Sequence, residues 1–342
     1  MTKLSICIGT YNRSDFIGET LDCFIPQLTE DTELLVVDGA STDNTEEVMC
    51  KYLEQTERIR YVRLPVKGGV DYDYNQAVEL ARGEYCWLFT DDDMIKAGTI
   101  KAILNQINNE YDLVIVNAEV CNPDFSKILE ERRLQILKNI SYKQNDFEKF
   151  FTDNANYMSY IGSVVIKRSV WLERKKEKYF GSEFVHLGVI FQKQFESPIS
   201  VIAFPYISIR FGNEQWSRRA FEIWMFKWPK LLWSFDCFSD TAKSMLSLEE
   251  PWRNLTKLLH QRAEGKFSSV EYNQFIKPRI SSFSEKAIIR TITLIPGCLL
   301  NFLALTYCTV KSSISQLSVF NLKNSKYYYL NTVKQKRVSK KQ

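Results

Sequence analysis

Histidine is nearly absent from this 342-residue sequence, in which only His186 and His260 occur. This scarcity excludes histidine-rich zinc sites and metalloproteases with an H-E-x-x-H motif, so carboxylates must hold any bound metal. The eight cysteines form no C-x-x-C pair and several lie inside apolar runs, which favours reduced thiols in a cytosolic compartment over a disulfide framework. Only about seven mostly apolar residues follow Lys3 before the chain turns polar, which is too short for a secretion signal.

Acidic residues are missing from the C-terminal part of the chain. The last of the 41 Asp and Glu residues is Glu285, whereas ten of the 45 Lys and Arg residues lie in residues 286–342. This tail is therefore strongly basic, and residues 1–285 carry a net charge of about −6. A nucleic-acid-binding protein would carry positive charge across its folded surface, so we expect no nucleic-acid partner. A basic tail favours a membrane surface instead.

The first 120 residues alternate between short apolar runs and segments of helical period. Runs of four or five apolar residues are typical of strands that are covered on both faces. The intervening segments repeat apolar residues at helical spacing. The apolar runs lie at residues 4–8, 34–37, 61–64, 85–89 and 113–116. This order predicts an α/β protein with a mostly parallel, doubly wound sheet, whose ligands bind beyond the carboxyl ends of the strands.

Polar, turn-forming segments follow four of the predicted strands. They are GTYNR (9–13), DGASTDN (38–44), PVKGGVDYDYN (65–75) and TDDD (90–93). In an extended segment Asp91 and Asp93 project to one side, so this pair can hold Mg²⁺ or Mn²⁺ whose remaining ligands come from a substrate diphosphate. An acidic triplet alone is more often a solvated turn, so the metal hypothesis depends on the other loops.

Two of those loops have the composition of a nucleotide site. Asp38 ends the second strand before small residues that let a flat ring approach, and its carboxylate can accept a hydrogen bond from a nucleobase. In the third loop two glycines precede a helix that carries Asp71 and Asn75. A helix N-terminus near a phosphate is electrostatically favourable. Each feature alone is equally typical of ordinary turn chemistry.

Three of these segments, read together, resemble a known family. LSICIGTYNR, LLVVDGASTDNT and GGVDYDYNQAVELARGEYCWLFTDDD occur in that order over residues 3–95. In order and spacing they are similar to the nucleotide-sugar half of the family 2 glycosyltransferases, which have the GT-A fold. The third segment resembles the abequosyltransferase-like branch, which decorates O-antigen or related bacterial surface polysaccharides.

The resemblance implies roles for particular residues. Thr10, Tyr11 and Arg13 would line the nucleotide pocket, Asp38 would contact the base, and the aspartate triplet would supply the acidic metal-binding motif. The family pattern matches Asp92 and Asp93, whereas the spacing argument favours Asp91 with Asp93. Both interpretations include Asp93, and the expected cofactor is Mg²⁺ or Mn²⁺.

The resemblance also implies a carboxylate base that deprotonates the acceptor hydroxyl. The nearest counterpart of the family's Gly-Glu-Asp motif is Gly181, Ser182 and Glu183. We expect Ser182 to cap a helix with Glu183 in its first turn and His186 on the same face. His186 is the alternative base, metal ligand or phosphate contact, because imidazole titrates near neutrality. Arg210 and the segment after it are candidates for binding a diphosphate or a charged acceptor.

We expect three regions along the chain. Residues 1–220 form the catalytic domain, with a nucleotide-sugar half (1–120) and an acceptor half (121–220). Residues 221–285 form an aromatic-rich helical segment in which a core helix is broken at Pro229, and residues 286–342 form a membrane-associating tail. Within the tail, residues 291–310 carry no charge. Pro296 and Asn301 favour an interfacial or partly inserted helical hairpin over a membrane span, with a buried core helix as the further alternative.

These expectations define a metal-dependent, inverting glycosyltransferase that transfers one sugar at a time. A processive enzyme of this superfamily would carry a Q-x-x-R-W motif, which the QWSRR segment does not reproduce. The donor would be a nucleotide sugar, and the acceptor a lipid-linked saccharide at the inner face of a bacterial inner membrane. The alternatives are a non-catalytic nucleotide- or glycan-binding protein of the same fold and a sugar nucleotidyltransferase. The second alternative is disfavoured because no Gly-rich Arg-Lys segment follows the first strand.

Overall fold

The computed structural model describes residues 2–213, 215–310 and 316–330. Ten strands among these residues form one sheet in the order β3-β2-β1-β4-β9-β6-β10-β5, with β7 paired to β6 and β8 paired to β10. The strands are β1 Leu4–Thr10, β2 Thr32–Asp38, β3 Ile59–Arg63, β4 Tyr85–Phe89, β5 Met94–Ile95, β6 Leu113–Cys121, β7 Ile128–Glu130, β8 Ile140–Tyr142, β9 Val164–Lys167 and β10 Ile199–Arg210.

The N-terminal half of the sheet is parallel, as the sequence predicts. Strand β1 pairs in parallel with β2 and β4, and β2 pairs in parallel with β3. All five predicted apolar runs lie in strands, and every residue of β2 and β4 is buried. The helices of this half are α1 Ile17–Phe24, α2 Thr45–Leu53, α3 Val70–Leu80 and α4 Thr99–Ile107. Each packs an apolar face against the sheet, which places the loops after β1, β2 and β4 at one edge.

The second half of the sheet is mixed. Strand β9 lies antiparallel between β4 and β6, whereas β10 runs parallel to β6. Residues 129–138 (LEERRLQILK) have the composition of a charged helix, but this segment begins as the end of β7 and continues as irregular chain. Its backbone is held by Asn117, whose amide donates to the Leu134 carbonyl and accepts from the Leu134 N–H, both at 2.9 Å. A buried amide thus replaces the hydrogen bonds that a helix would make.

The described chain forms two compact units. One contains the residues up to Phe211 together with Trp233–Leu246, and the other contains Gly212–Leu232 and the described residues from Ser247 onward. The boundary therefore lies before residue 220, and the aromatic-rich segment contributes to both units. Its Phe238 ring stacks on Phe151 of the first unit with centroids 4.0 Å apart. Such stacking buries large apolar areas and holds Trp233–Leu246 in the first unit.

The remaining helices follow in chain order. They are α5 Phe147–Met158, α6 Arg168–Glu173, α7 Val185–Phe191, α8 Ala220–Glu222, α9 Trp228–Trp233, α10 Asp240–Leu246, α11 Leu255–Ala263, α12 Ser269–Glu271, α13 Phe283–Leu294, α14 Gly297–Val310 and α15 Gln316–Asn324. Pro229 is the second residue of α9 and follows a π-helical turn at Ile223–Lys227. The widened turn accommodates a residue that has no N–H to donate, so the chain stays helical where a break is predicted.

The uncharged stretch of the tail folds as parts of two helices. Helices α13 and α14 meet around Pro296 and are bent by 83° relative to each other, so the predicted hairpin is a right-angled bend. Among the described residues no single helix is long and apolar enough to cross a membrane, whereas α13 and α14 together reach the required length and composition.

Glu264 stabilises the second unit in a pH-dependent way. Its carboxylate accepts a hydrogen bond from the Lys266 ammonium at 2.8 Å and lies 3.3 Å from Nε2 of His260. Burial acts to raise the pKa of Glu264, but hydrogen bonds and charge from His260 and Lys266 outweigh it and lower the pKa to about 2. A pKa below the ordinary value of 4.5 means that this stabilisation is complete above pH 4.5 and is lost as the pH falls toward 2.

We therefore expect Glu264→Gln to lower the free energy of unfolding at pH 7 by about 2–3 kcal/mol. The deficit should shrink as the pH falls below 4.5, because the wild-type carboxylate then becomes protonated as well. Urea denaturation at several pH values measures both effects, with the exposed Glu249→Gln as the matched control. An equal loss in the two variants would show that the Glu264 contacts contribute nothing specific.

Candidate active site

The loops after β1 and β2 are bound to each other at the carboxyl edge of the sheet. Thr10 and Asp38, the last residues of the two strands, are register partners. Asn12 has a positive φ of 54°, and its N–H donates to the Ser41 hydroxyl at 2.8 Å. Its side-chain oxygen accepts from the Thr42 N–H at 2.7 Å. The two loops therefore form one rigid rim on which Tyr11 and Arg13 are fixed.

Arg13 connects this rim to the aspartate triplet. Its Nε lies 3.3 Å from Oδ1 of Asp91, and one terminal nitrogen lies 3.1 Å from Oδ2 of Asp92. The guanidinium also stacks over Phe16, 5.3 Å from the ring centroid. All three polar side chains are nearly buried. The structure therefore brings Arg13 from the loop after β1 together with two aspartates of the triplet after β4.

Asp93 has different surroundings. One carboxylate oxygen accepts from the Arg210 backbone N–H at 2.6 Å. The other accepts from the Tyr160 hydroxyl at 2.6 Å and from the Thr90 hydroxyl. Three donors therefore satisfy this carboxylate, which ties the end of β4 to the end of β10. Both sequence interpretations include Asp93 among the metal ligands, but its geometry is that of a structural anchor.

The triplet is electrostatically strained. Burial raises the pKa of Asp91, and the neighbouring Asp92 charge raises it further, against the opposing effect of Arg13. Burial and Asp92 likewise raise the pKa of Asp93. The cluster thus holds more negative charge than Arg13 neutralises. A cation bound at Asp91 and Asp92 would remove this repulsion.

The donor set fits a divalent ion that is shared with a diphosphate. Among the described residues no three His, Cys, Asp or Glu side chains converge as a complete metal site. Mg²⁺ commonly takes only one or two protein carboxylates and completes its shell with phosphate and water oxygens. Asp91 and Asp92 provide those two carboxylates, so the residues present fit the predicted metal in this shared form.

Asp38 is more enclosed than the sequence suggests. It is fully buried, and one oxygen accepts from the Ser41 N–H at 2.8 Å while the other accepts from the Tyr61 hydroxyl at 2.6 Å. Arg63 lies 4.0 Å away and donates to the Ser41 carbonyl. A nucleobase that reaches Asp38 must compete with Tyr61, which lies on β3 and carries no motif signal. Nearby, Lys67 places its ammonium 3.4 Å from the centroid of the Tyr11 ring.

The structure places Asp71 and Asn75 in supporting positions on α3. The Asp71 carboxylate accepts from the N–H groups of Glu183 and Val185, at 2.8 and 2.9 Å. Asn75 donates to Glu79 and accepts from the Trp171 indole. These contacts hold the loop before α7 and the helix α6 against α3.

Asp73 is a candidate functional residue that the sequence did not reveal. It is buried, and a β-carbon at Gly39 would lie 2.6 Å from its Oδ2. Burial raises the pKa of Asp73 to about 7, and the charge of Asp38 contributes to the shift while Lys67 opposes it. The heptapeptide GGVDYDY contains two aspartates at a helix start. Their spacing alone gives no reason to prefer the second one as a functional residue.

The predicted helix start at Ser182 is wrong. Helix α7 begins at Val185, and the Ser182 hydroxyl accepts from the Phe184 N–H. Glu183 therefore lies in the preceding loop, with a positive φ of 73°. His186 is 1% exposed, its Nε2 lies 2.8 Å from the Met158 carbonyl oxygen, and burial lowers its pKa to about 4. The structure thus separates the two candidate bases and encloses His186 in the core as a neutral imidazole.

Arg210 reaches the triplet but is already occupied. Its guanidinium donates to the backbone carbonyls of Asp92 and Pro123 and to the Glu19 carboxylate. The side chain lies 4.4 Å from the Phe125 ring centroid and is nearly buried. This arginine fixes the loop that carries Asp92, so the structure assigns it a positioning role beside the candidate diphosphate site.

Comparison with known proteins agrees with this geometry. Residues 5–172 match the family model described as "Glycosyl transferase family 2". The chain is 25% identical over 231 residues to the abequosyltransferase RfbV of Salmonella typhimurium, covering 63% of this chain and 69% of that protein. It is 27% identical over 187 residues to a GalNAc(5)-diNAcBac-PP-undecaprenol beta-1,3-glucosyltransferase of Campylobacter jejuni, covering 54% of this chain and 58% of that protein.

Solved structures share the fold at low sequence identity. TarS 1–349 of Staphylococcus aureus in complex with UDP superposes with a TM-score of 0.54 at 15% identity, covering 98% of this chain and 92% of that one. The mannosyltransferase PcManGT of Pyrobaculum calidifontis, in complex with GDP-Man and Mn²⁺, has a TM-score of 0.50 at 16% identity, covering 94% and 86%. The predicted GT-A fold is confirmed. The chain contains a family 2 glycosyltransferase domain and is a glycosyltransferase.

Proposed function

We propose that this enzyme transfers a single sugar from a nucleotide-sugar donor to a lipid-linked saccharide in bacterial surface-polysaccharide synthesis. The observation that carries the proposal is the Arg13–Asp91–Asp92 cluster at the same sheet edge as Asp38. One of the relatives named above is named for an undecaprenol-linked saccharide substrate. A non-catalytic binding protein would not need two carboxylates that repel each other beside the diphosphate position.

In this mechanism Asp91 and Asp92 would hold Mg²⁺ or Mn²⁺, which neutralises the diphosphate leaving group when bound. Arg13 supplies fixed positive charge between the two carboxylates and orients them without reorganisation during the reaction. Tyr11 and the rim formed with Ser41 and Thr42 position the nucleoside. Attack by the acceptor hydroxyl from the side opposite the diphosphate would invert the anomeric carbon.

Glu183 is the proposed general base. Its backbone N–H donates to the Asp71 carboxylate in the loop that precedes α7, and this fixed loop position supports the assignment. His186 does not serve as the alternative in this proposal, because its imidazole is buried, with a pKa that burial lowers to about 4, and is shielded from an incoming acceptor hydroxyl. We therefore assign proton removal to the Glu183 carboxylate.

We expect Glu183→Gln to lower the transfer rate by about 10²–10⁴-fold while donor affinity changes little, because only the proton acceptor is removed. Release of nucleoside diphosphate in the presence of membrane extract measures transfer, and calorimetry measures donor binding. His186→Gln is the matched comparison. A variant at Glu183 with wild-type transfer would move the base to another residue.

The proposed acceptor determines where the enzyme works. A polyprenyl-linked saccharide cannot leave the bilayer, so the proposal places the protein on the cytoplasmic face of the inner membrane, attached through residues 286–342.

Screening UDP-, GDP-, CDP- and dTDP-sugars with Mn²⁺ for a rise in melting temperature would identify the donor, since a ligand of the folded state stabilises it. If no sugar nucleotide raised the melting temperature or released its diphosphate, the proposed function would fail.

A further inference from the structure

We infer that α14 lies flat in the headgroup region of an anionic lipid bilayer, with the outward face of the helix as the contact surface. The outward face is defined by Leu299, Phe302, Leu303, Tyr307 and Val310. The inference deepens the proposed function by specifying how the enzyme reaches a lipid-linked acceptor. Binding to lipid requires neither donor nor catalysis, so the two proposals can fail separately.

Helix α14 is apolar on its outward face as well as on the face that packs against α11 and α15. The side chains of the outward face are between 49% and 82% exposed, and all are large and apolar or aromatic. The buried positions of the same helix are Gly297, Asn301 and Cys308. An ordinary surface helix turns its apolar side chains inward and its polar ones to water. Here the most polar side chain is inside, and a continuous apolar surface faces outward.

Contacts made by the buried side of α14 fix this orientation of the helix. The buried Asn301 amide donates to the carbonyls of Ala263 at 3.1 Å and Leu322 at 2.9 Å, which link α14 to the end of α11 and to α15. A β-carbon at Gly297 would lie 2.4 Å from the Tyr327 ring, so the chain approaches that ring as closely as glycine permits. Rotating α14 to bury Leu299 and Leu303 would break both hydrogen bonds of the buried Asn301 amide.

The neighbouring surface of the same unit extends the apolar contact. Helix α13 exposes Phe283, Ile288 and Leu294, the last being 72% exposed directly before the bend. Leu294 and Leu299 flank the turn at Pro296. The contact surface is therefore wider than one helix, and it spans the two arms of an 83° bend.

Charge identifies the partner as an anionic lipid surface. No Asp or Glu follows Glu285 in the sequence, and the described basic residues Arg290, Lys323 and Lys326 are exposed. A large apolar face in a segment that carries basic and no acidic residues is the pattern of helices that bind at a membrane interface. A protein partner would more often be met by charges of both signs at the rim of the contact.

Dimensions favour lying on the membrane over crossing it. Helix α14 has 14 residues, or about 21 Å at 1.5 Å per residue, against about 30 Å for the hydrocarbon core. Asn301 points away from the apolar face and makes its hydrogen bonds within the protein, as an interfacial helix allows. The expected insertion is limited to the side chains of the outward face.

Vesicle flotation of the full chain tests the inference. Wild-type protein should float with vesicles of phosphatidylcholine and phosphatidylglycerol (3:1) and bind pure phosphatidylcholine at least about tenfold more weakly. The double variant Phe302→Asp/Leu303→Asp should lose at least about tenfold in binding to the mixed vesicles. Leu137→Asp is the matched control, because Leu137 is 85% exposed in the first unit.

Each outcome is decisive when the melting temperature and the oligomeric state of the wild-type protein and the variants are measured in parallel. Wild-type protein that stays unbound, or a double variant that floats as well as wild type with an unchanged melting temperature, overturns the inference. A wild-type dimer that becomes monomeric in the double variant, with no vesicle binding by either, would identify a second copy of the chain as the occupant. Flotation without donor binding would contradict the proposed transfer reaction and leave this inference standing. Donor binding without flotation would contradict this inference and the attachment through residues 286–342, and would leave the proposed transfer reaction standing.

Discussion

Replacing Asp92 by asparagine should lower the rate of sugar transfer by about 10²–10³-fold while leaving the melting temperature close to that of wild type. The substitution keeps the shape of the side chain and a contact with Arg13, which lies 3.1 Å from Oδ2. It removes one of the two negative charges available to a divalent ion beside the donor diphosphate. It also relieves the repulsion that raises the pKa of Asp91, so the loss of activity is not expected to come from unfolding.

Asp93→Asn tests whether Asp93 binds the metal ion or instead ties the end of β4 to the end of β10. An amide in place of this carboxylate puts an NH₂ donor against Tyr160, Thr90 or the Arg210 N–H, each of which donates to Asp93 in the native fold. We expect the main effect to be a lower melting temperature, with activity falling as folded protein is lost. Asp31→Asn, an exposed carboxylate at the other end of β2, controls for loss of charge. A stable, inactive Asp93 variant beside an active Asp92 variant would reverse the assignment.

Activity titrated with Mn²⁺ gives a second measure of the same assignment. If Asp92 is a ligand, its asparagine variant should need more metal to reach its own maximal rate, whereas the Asp93 variant should keep the wild-type midpoint. Removal of metal by a chelator should abolish transfer in wild type and restore it on addition of Mn²⁺.

The parallel half of the sheet was predictable because its signals are local. Runs such as YCWLF at residues 85–89 are apolar throughout, which only a strand covered on both faces can accommodate. Parallel strands then bring the residues after them to one edge, whatever the rest of the fold does. For this reason Thr10, Arg13, Asp38 and the triplet could be grouped from the sequence before any side-chain contact was known.

The errors occur where a distant side chain decides local structure. Ser182 and Glu183 have the composition of a helix start, but Asp71, more than a hundred positions earlier, accepts the N–H groups of Glu183 and Val185. The charged segment after residue 129 has helical composition, but Asn117 satisfies its backbone instead. In both cases a buried side chain competes with the helix for the same backbone groups, and a window of sequence contains only one of the competitors.

For the same reason, Asp93 and Asp38 could be assigned to ligand binding only from the chemistry of their side chains. Adjacent aspartates are equivalent in sequence, whereas the fold gives Asp93 three donors from β4, β10 and the end of α5. Tyr61 reaches Asp38 from a strand that follows it by more than twenty residues. Which carboxylate is available to a ligand is thus a property of tertiary packing.

Asp71→Ala should destabilise the protein by about 2–4 kcal/mol, because it leaves two buried N–H groups without an acceptor. Those groups belong to Glu183 and Val185, so the loop that carries the proposed base should also lose its fixed position. Burial raises the pKa of Asp71 to about 6, although the backbone donors oppose the shift. The ordinary value is 3.8, so the contribution of this group to stability is complete below pH 3.8 and declines as the pH rises through about 6.

The stability deficit of Asp71→Ala should accordingly be larger at pH 5 than at pH 7.5, which urea denaturation at the two pH values measures. If Asp71 positions Glu183 and does not touch the nucleotide, the maximal rate of the variant should fall while the dissociation constant of the donor stays within about twofold of wild type. A direct contact with substrate, as predicted from the position of Asp71 at the helix start after the third loop, would instead weaken donor binding. The Asp71→Asn variant keeps one acceptor oxygen and should recover part of the stability and part of the rate together. Recovery of stability without any recovery of rate would show that Asp71 contributes to activity by more than stabilising the loop. Asp71 would then be assigned to the substrate-binding site.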